Sequence, residues 1–361
     1  MKHYVLSYGS NLNIADWTQY CQRQGKFGKY LKFIEVVKIP DYRLVFDKYS
    51  QTREGGVLNI RHAVGYVVEA GLFETNDEGL SILQLKEGVH VKNNYQEKET
   101  IALRPDGSEV QAKAYIVPKE LSKGYVRPSA QYLELCKQGY EFFGLPTDAL
   151  LVASDNKSIA PLNAIFCYGT LMRGEPRFSV IKEYGVQCAL LAQIFGRLST
   201  NGSFPALDLN AKDFAWGDYF VSRDISNLLR KTDKIEGFIG YGTTGSLYRR
   251  TCVDVDVGGS GQRLAWVYVR DEAFSSVILS NDWRHYNQTK QKFYARLVMD
   301  HLKFNADLPF EISQYLNRYN SQKTDPKNSS REAILTELLE GANLTEKRLA
   351  QHSNLWTAVA D

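Results

Sequence analysis

The chain has 361 residues, 43% hydrophobic and 24% charged, with 44 lysines and arginines against 41 aspartates and glutamates and a net charge of +3. That length suggests two or three domains of roughly 150 residues, each able to bury a sizeable core, in a composition typical of soluble globular proteins. So small a charge argues against a nucleic-acid partner, and with no signal-peptide pattern or apolar run of membrane length we expect a cytoplasmic protein without a membrane role.

Residues 3–7 read as a strand that turns out through Tyr8-Gly9-Ser10-Asn11-Leu12. A glycine turn of this kind points consecutive backbone N–H groups at one spot, a nest for an anionic group. Asn13 is placed to cap a helix to about Gln24, with Ile14, Trp17 and Cys21 at helical spacing. Strand-like runs follow at 31–38, 42–47 and 64–73. Thr75-x-x-Glu78 has the spacing of a capping box, starting a helix through Leu80, Leu83 and Leu85 that ends near Glu87-Gly88. Pro105-Asp106-Gly107 reads as a turn between two strands. Pro128-Ser129 begins a helix with Tyr132, Leu135, Cys136 and Phe143 on one face, closed by Gly144. Residues 146–162 read as a linker.

The order then repeats. A strand at 164–168 leads into Tyr168-Gly169-Thr170-Leu171, and a helix follows Gly174. Strands fall near 189–198 and 217–222, a helix runs from Asp224 to Glu236-Gly237, and a hairpin turns over Gly258–Gly261. The two glutamates follow their motif tyrosines by 79 and 68 residues. A repeat of that length is a duplicated domain, since solenoid periods are roughly 20–50 residues. After Trp283 the composition turns helical. Phe293, Leu297, Val298 and Leu302 make an amphipathic face and Ser329-x-x-Glu332 a further capping box, so 289–361 reads as a helical extension offering a surface for a protein partner or self-association.

Other motifs carry no chemistry. Gly240-x-Gly242-x-x-Gly245 follows a helix end and leads into a strand, the reverse of a dinucleotide site, so it is a loop. The six histidines have no paired spacing, leaving a metal site without support. The five cysteines form no CxxC pair and read as reduced thiols.

In their order, Tyr8–Leu12, Tyr42-Arg43-Leu44-Val45-Phe46, Gly55–Ile60, Glu87-Gly88 and Pro128–Tyr132 resemble the gamma-glutamylcyclotransferase family. The second half resembles its AIG2-like branch at Tyr168–Leu171, Phe204-Pro205-Ala206-Leu207, Asp233-x-x-Glu236-Gly237, Tyr248-x-Arg250 and Leu279–Trp283. The resemblance covers most of 1–287. It implies an α+β protein with two tandem mixed β-barrel domains, 1–150 and 160–288, followed by the helical segment 289–361. It also implies an enzyme for small-molecule γ-glutamyl amides, in which the substrate's α-amine attacks its own γ-carbonyl to release 5-oxoproline and a free amine, with no metal or organic cofactor. Glu87 and Glu236 would be the acid/base groups, one per domain. Substrate would be bound by Tyr8, Gly9, Ser10, Asn11, Leu12 and Tyr95 in the first domain, and by Tyr168, Gly169, Thr170, Leu171, Tyr248 and Arg250 in the second.

Read from the residues alone, Tyr95 and Tyr248 fit packing beside a pocket as well as contact with a ligand. Arg250 fits a carboxylate ligand or an ordinary strand arginine. Asp233, three residues before Glu236, would raise that glutamate's pKa, whereas Gln84 gives Glu87 no such push. The two sites should therefore differ, and each domain is expected to act alone when the chain is cut within 146–162. The competing reading is a non-catalytic small-ligand-binding or scaffold protein that kept the fold.

Overall fold

The computed structural model describes residues 1–92 and 94–289; the amphipathic face expected at 293–302, the capping box at 329–332 and the partner surface assigned to the C-terminal helices lie outside them. Met1–Val277 forms one compact unit and Ile278–Asp361 another. The first unit holds two closed five-stranded barrels, each with helices, so the fold is α+β as expected.

In the first barrel, β1 (Lys2–Ser7) runs into a short 3₁₀ turn at Ser10–Leu12 and then α1 (Ile14–Arg23). The Asn13 side chain accepts the Asp16 N–H at 3.0 Å, the cap that the sequence foretold. The separate strands expected at 31–38 and 42–47 are one strand, β2 (Lys32–Ser50), paired along its length with β3 (Gly55–Asn76). A register shift at Pro40/Tyr42 interrupts the pair, and Asp41 there adopts a left-handed φ of +59°. An extra residue of this kind bends a strand without ending it, which is why the sequence read as two pieces. Asn76, not Thr75, caps α2 (Asp77–Glu87), accepting the Gly79 N–H at 2.8 Å. Thr75 is still paired in β3 opposite His3, and its hydroxyl donates to the Tyr30 carbonyl, so it is not free to cap.

The turn at Gly107 joins β4 (Gln96–Leu103) to β5 (Glu109–Ile116), and the ring closes in the order β1-β3-β2-β4-β5. Val5, Val37, Ile39, Ile60, Val68 and Leu72 fill it, all at most 2% exposed; each such side chain stabilises the fold by roughly 1.5–3 kcal/mol. The helix expected to begin at Pro128-Ser129 is α3 (Ala130–Phe142), and Ser129 caps it, accepting from Tyr132 N. The expected linker contains a helix, α4 (Asp148–Ser154), whose Leu150 and Ala153 belong to the core of the first barrel.

The second barrel comprises β6 (Ala164–Cys167), α5 (Phe178–Glu183), β7 (Val186–Phe195), β10 (Phe214–Ser222), α6 (Ile225–Glu236), β11 (Arg249–Asp256) and β12 (Gln262–Val269). Beside it β8 (Arg197–Thr200), β9 (Pro205–Asp208) and β13 (Ser276–Val277) form a small sheet. Read around the ring from β6, the order is β6-β10-β7-β11-β12, strand for strand that of the first barrel. The register repeats as well. Val5 pairs in parallel with Lys113 and Ile165 with Trp266, each three residues before its motif tyrosine. Glycines 240–245 lie in a loop between α6 and β11, as expected.

The barrels are bonded to each other. Ser226 Oγ on α6 donates to the Val64 carbonyl at 2.7 Å, Leu162 N donates to Gly65 O at 2.9 Å, and Thr251 Oγ1 donates to Gly107 O at 2.9 Å. In the second unit a helical stretch over 283–289 is described, with Trp283 stacked on Tyr286. No helix among the described residues is long and apolar enough to cross a membrane.

Candidate active sites

Both sites start from a helix end. Gly88 (φ +64°) and Gly237 (φ +63°) stop α2 and α6 in the left-handed conformation that a glycine adopts at little cost. Their turns close through Val89 N to Gln84 O at 3.1 Å and Phe238 N to Asp233 O at 2.9 Å. Glu87 and Glu236 are thereby fixed as the last helical residues, each half-buried at the end of its barrel.

The motif turn meets the glutamate in each repeat. In the first, the turn uses the N–H groups of Leu12 and Asn13, bonded to the carbonyls of Gly9 and Ser10 at 3.0 and 3.1 Å. Among the described residues the Ser10 and Asn11 N–H groups have no protein acceptor, nor do those of Thr170 and Leu171 in the second repeat. The motif tyrosines are buried and anchored alike, Tyr8 donating to the Tyr115 carbonyl and Tyr168 to the Tyr268 carbonyl. Tyr95 and Tyr248 also occupy equivalent places, donating to Leu58 O at 2.7 Å and Pro205 O at 2.6 Å.

The first site opens into a wide cleft of about 1090 Å³ lined by Ser10, Lys48, Arg53, Glu87, Tyr95 and Tyr132. Asn11 Nδ2 donates to Glu87 Oε1 at 2.5 Å, and Asn11 Oδ1 accepts from Lys86 Nζ at 2.7 Å. Lys86 in turn reaches Asp16 at 2.8 Å, which takes both its oxygens to Arg53 at 2.9 Å. Burial raises the Glu87 carboxyl above its ordinary range, opposed by Lys86, by the Asn11 bond and by Lys48 and Arg53. One expected ligand stands back: Leu12 is fully buried under α3, while Gly9, at φ −141°, lies outside the left-handed region, so the turn does not need a positive φ there.

The second site is a compact pocket of about 130 Å³. It gathers Tyr168, Gly169, Thr170, Leu171, Glu236 and Tyr248, joined by Arg177 and the Phe204-Pro205 edge of β9. No described residue donates a hydrogen bond to the Glu236 carboxylate. Burial pushes it up to about 7, with Arg177 opposing. Arg177 was missed in the sequence because it lies outside any motif; its N–H bonds Thr170 O at 2.9 Å and so ties it to the turn. Lys86 was legible only as the cation adjacent to Glu87.

Arg250 is not brought to this pocket. It is 1% exposed and pairs with Asp41 of the first barrel and with Asp233 at 3.2 Å. Nor does Asp233 push Glu236. Its oxygens are taken by the Tyr268 hydroxyl at 2.7 Å and by Arg250, and burial is what raises Glu236.

The pairing register shows what these residues replace. Arg250 faces Tyr268 as Glu97 faces Tyr115. In the first barrel Gln84 donates to Glu97 at 2.8 Å, and Tyr115 donates to the same oxygen at 3.0 Å. Helix, strand and tyrosine are clamped in both repeats, with the acidic residue moved from the strand to the helix.

A family model described as gamma-glutamyl cyclotransferase, AIG2-like, matches residues 165–285. The gamma-L-glutamyl-butirosin B gamma-glutamyl cyclotransferase of Niallia circulans is 33% identical over 125 residues, 34% of this chain and 76% of the relative. The chain belongs to the gamma-glutamylcyclotransferase family. Among solved structures, a gamma-glutamyl cyclotransferase is 24% identical, covering 45% of this chain and 89% of its own (TM-score 0.36). YkqA of Bacillus subtilis is 13% identical, covering 89% of this chain and 98% of its own (TM-score 0.30). This gamma-glutamylcyclotransferase-like enzyme thus carries the barrel twice, with a glutamate at the same helix end in each copy.

Proposed function

We propose that the protein cleaves small γ-glutamyl amides by intramolecular cyclisation, with Glu87 and Glu236 each acting as acid and base of one barrel-borne site, within domains at about 1–150 and 160–288. The observation that carries this is the meeting, twice over, of a half-buried glutamate with a motif turn in which two consecutive N–H groups, those of Ser10 and Asn11 and those of Thr170 and Leu171, have no acceptor among the described residues. The glutamate takes a proton from the substrate's α-ammonium. The freed amine forms a C–N bond to the γ-carbonyl carbon, and the protonated glutamate gives its proton to the departing nitrogen as the amide bond breaks. The carboxylate then takes the second proton from the ring nitrogen and passes it to the released amine, leaving 5-oxoproline and an ammonium product. Nucleophile and electrophile share one molecule, so holding the folded conformer supplies much of the rate. The turn N–H groups face the oxyanion, where one such donor is worth roughly 2.7–4 kcal/mol, and Arg177 attracts the substrate's carboxylate. Every step uses groups of the protein and substrate alone.

A base titrating near 7 suits Glu236 to turnover at neutral pH. Burial raises Glu87 as well, but there Lys86, the Asn11 bond, Lys48 and Arg53 oppose it, and a first site that binds without turnover is the second reading. A cytoplasmic location fits five cysteines that remain unpaired. The test is a screen of γ-glutamyl amino acids and amines for 5-oxoproline by mass spectrometry, with wild type, each Glu→Gln variant and the double variant. Release that persists in the double variant would overturn the assignment.

A further inference from the structure

The two clamps differ in what completes them. In the first barrel Gln84, Glu97 and Tyr115 are joined by Lys113, which meets Glu97 at 2.6 Å, so every charge is answered within that barrel. Lys113 has Trp266 as its counterpart in the second. There Arg250 lies between Phe238, Tyr241 and Trp266, its carbon 5.1–5.5 Å from each ring centre, and its Nε donates to the Tyr241 hydroxyl at 3.1 Å. Asp233 meets one arm of the guanidinium; the other arm reaches across to Asp41 of the first barrel.

Asp41 is built for that reach. It sits at the irregularity in β2 with a left-handed backbone, the kind of bulge that re-aims a side chain. It is 7% exposed, and its other oxygen accepts the Gly65 N–H at 2.8 Å. The same corner receives α6, since Ile225 and Leu229 pack at Gly65 and Ser226 bonds Val64. Arg250 and Asp233 then link Asp41 to the last turn of α6, three residues before Glu236.

We propose that Asp41 of the first barrel is a positioning residue for the second site, holding through Arg250 and Asp233 the end of the helix that presents Glu236. This rests on the reading of Glu236 as the acid/base group of that site. The second site is then completed by the first barrel, whereas the first site needs nothing from the second.

The experiment uses the full chain. In a Glu87→Gln background, where turnover reports the second site, Asp41→Asn is expected to lower kcat about ten- to a hundredfold, the size expected when a catalytic group moves by about 1 Å. KM should stay within about twofold, because Asp41 does not touch substrate. In a Glu236→Gln background, the first site serves as control. An unchanged kcat at the second site, or equal losses at both sites, overturns the proposal. If Asp41→Asn does not fold, Asp41→Glu, which keeps the charge and shifts the carboxylate by one methylene, is judged by the same outcomes.

Hydrogen–deuterium exchange separates this idea from the functional reading beneath it. If wild type releases no 5-oxoproline from any γ-glutamyl amide, that reading fails, and the positioning claim is decided by exchange alone. Asp41→Asn should speed exchange of the amides at 232–237 at least about fivefold while α2 is unaffected. Unchanged exchange at 232–237 overturns it.

Discussion

Glu87 and Glu236 hold the same place on equivalent helices but sit in different fields, and their behaviour should follow the fields. Glu236 must be deprotonated to act as a base, so turnover at the second site should rise with pH through about 7 and then level off. The pH–rate curve of the Glu87→Gln variant tests this; a limb at pH 4–5 would contradict it. Glu236→Gln should lower kcat at the second site by roughly 10²–10⁴. The same burial links to stability. A carboxyl whose folded pKa lies above its unfolded value contributes stability fully below about 4.5, and that contribution is lost as pH rises through about 7. Glu236→Gln cannot ionise, so it should exceed wild type in stability at pH 8, by on the order of 3 kcal/mol at most, and match it at pH 4. Urea unfolding at the two pH values measures the difference.

Elements in this chain were legible where their signals are local. Asn13, Ser129 and Asp224 cap helices through contacts three residues away, and Gly88 and Gly237 end them through a left-handed backbone, all of which a short window reveals. Where pairing partners compete, the window misleads. Thr75 lost its capping role to Asn76 because β3 continues through it, and the bulge at Asp41 divided one long strand into two apparent ones. Residues 148–154 looked like linker because Leu150 finds its core only in the folded barrel, and β9 is too short to announce itself. The site was readable as far as the turn–glutamate pairing. Arg250 was not, since Asp41 lies 209 residues away.

One close approach at this scale yields a prediction. A Cβ on Gly56 would lie 1.9 Å from the Val126 carbonyl oxygen, where β3 meets the chain entering α3. Gly56→Ala should cost roughly 1–3 kcal/mol by forcing the backbone apart. It should also slow the first site, since Leu58 holds Tyr95 and Tyr132. Thermal melts with matched turnover assays check both; a melt unchanged from wild type would remove the claim.

At the scale of the whole molecule, the bonds between barrels replace the expectation of independent halves. A first piece ending at residue 157 retains α4 and a self-contained clamp, and should keep the first site's turnover. A second piece, 158–290, lacks Asp41 and the corner that receives α6, and should lose at least about tenfold in kcat while the intact chain does not. Assaying both pieces against the full chain on one substrate decides the matter, and equal second-site kcat in piece and chain would restore independence.

The moved charge in the clamp also bears on descent. Two copies of one gene product can drift apart freely only while each answers its own buried charges. With Arg250 paired to both Asp41 and Asp233, loss of Arg250 alone would leave Asp41 buried without its cation, a change that costs roughly 3–5 kcal/mol, whereas loss of Asp41 leaves Arg250 with Asp233 alone. The ion pair thus makes a substitution in one copy felt in the other, a tie that side-by-side duplicates without it would lack.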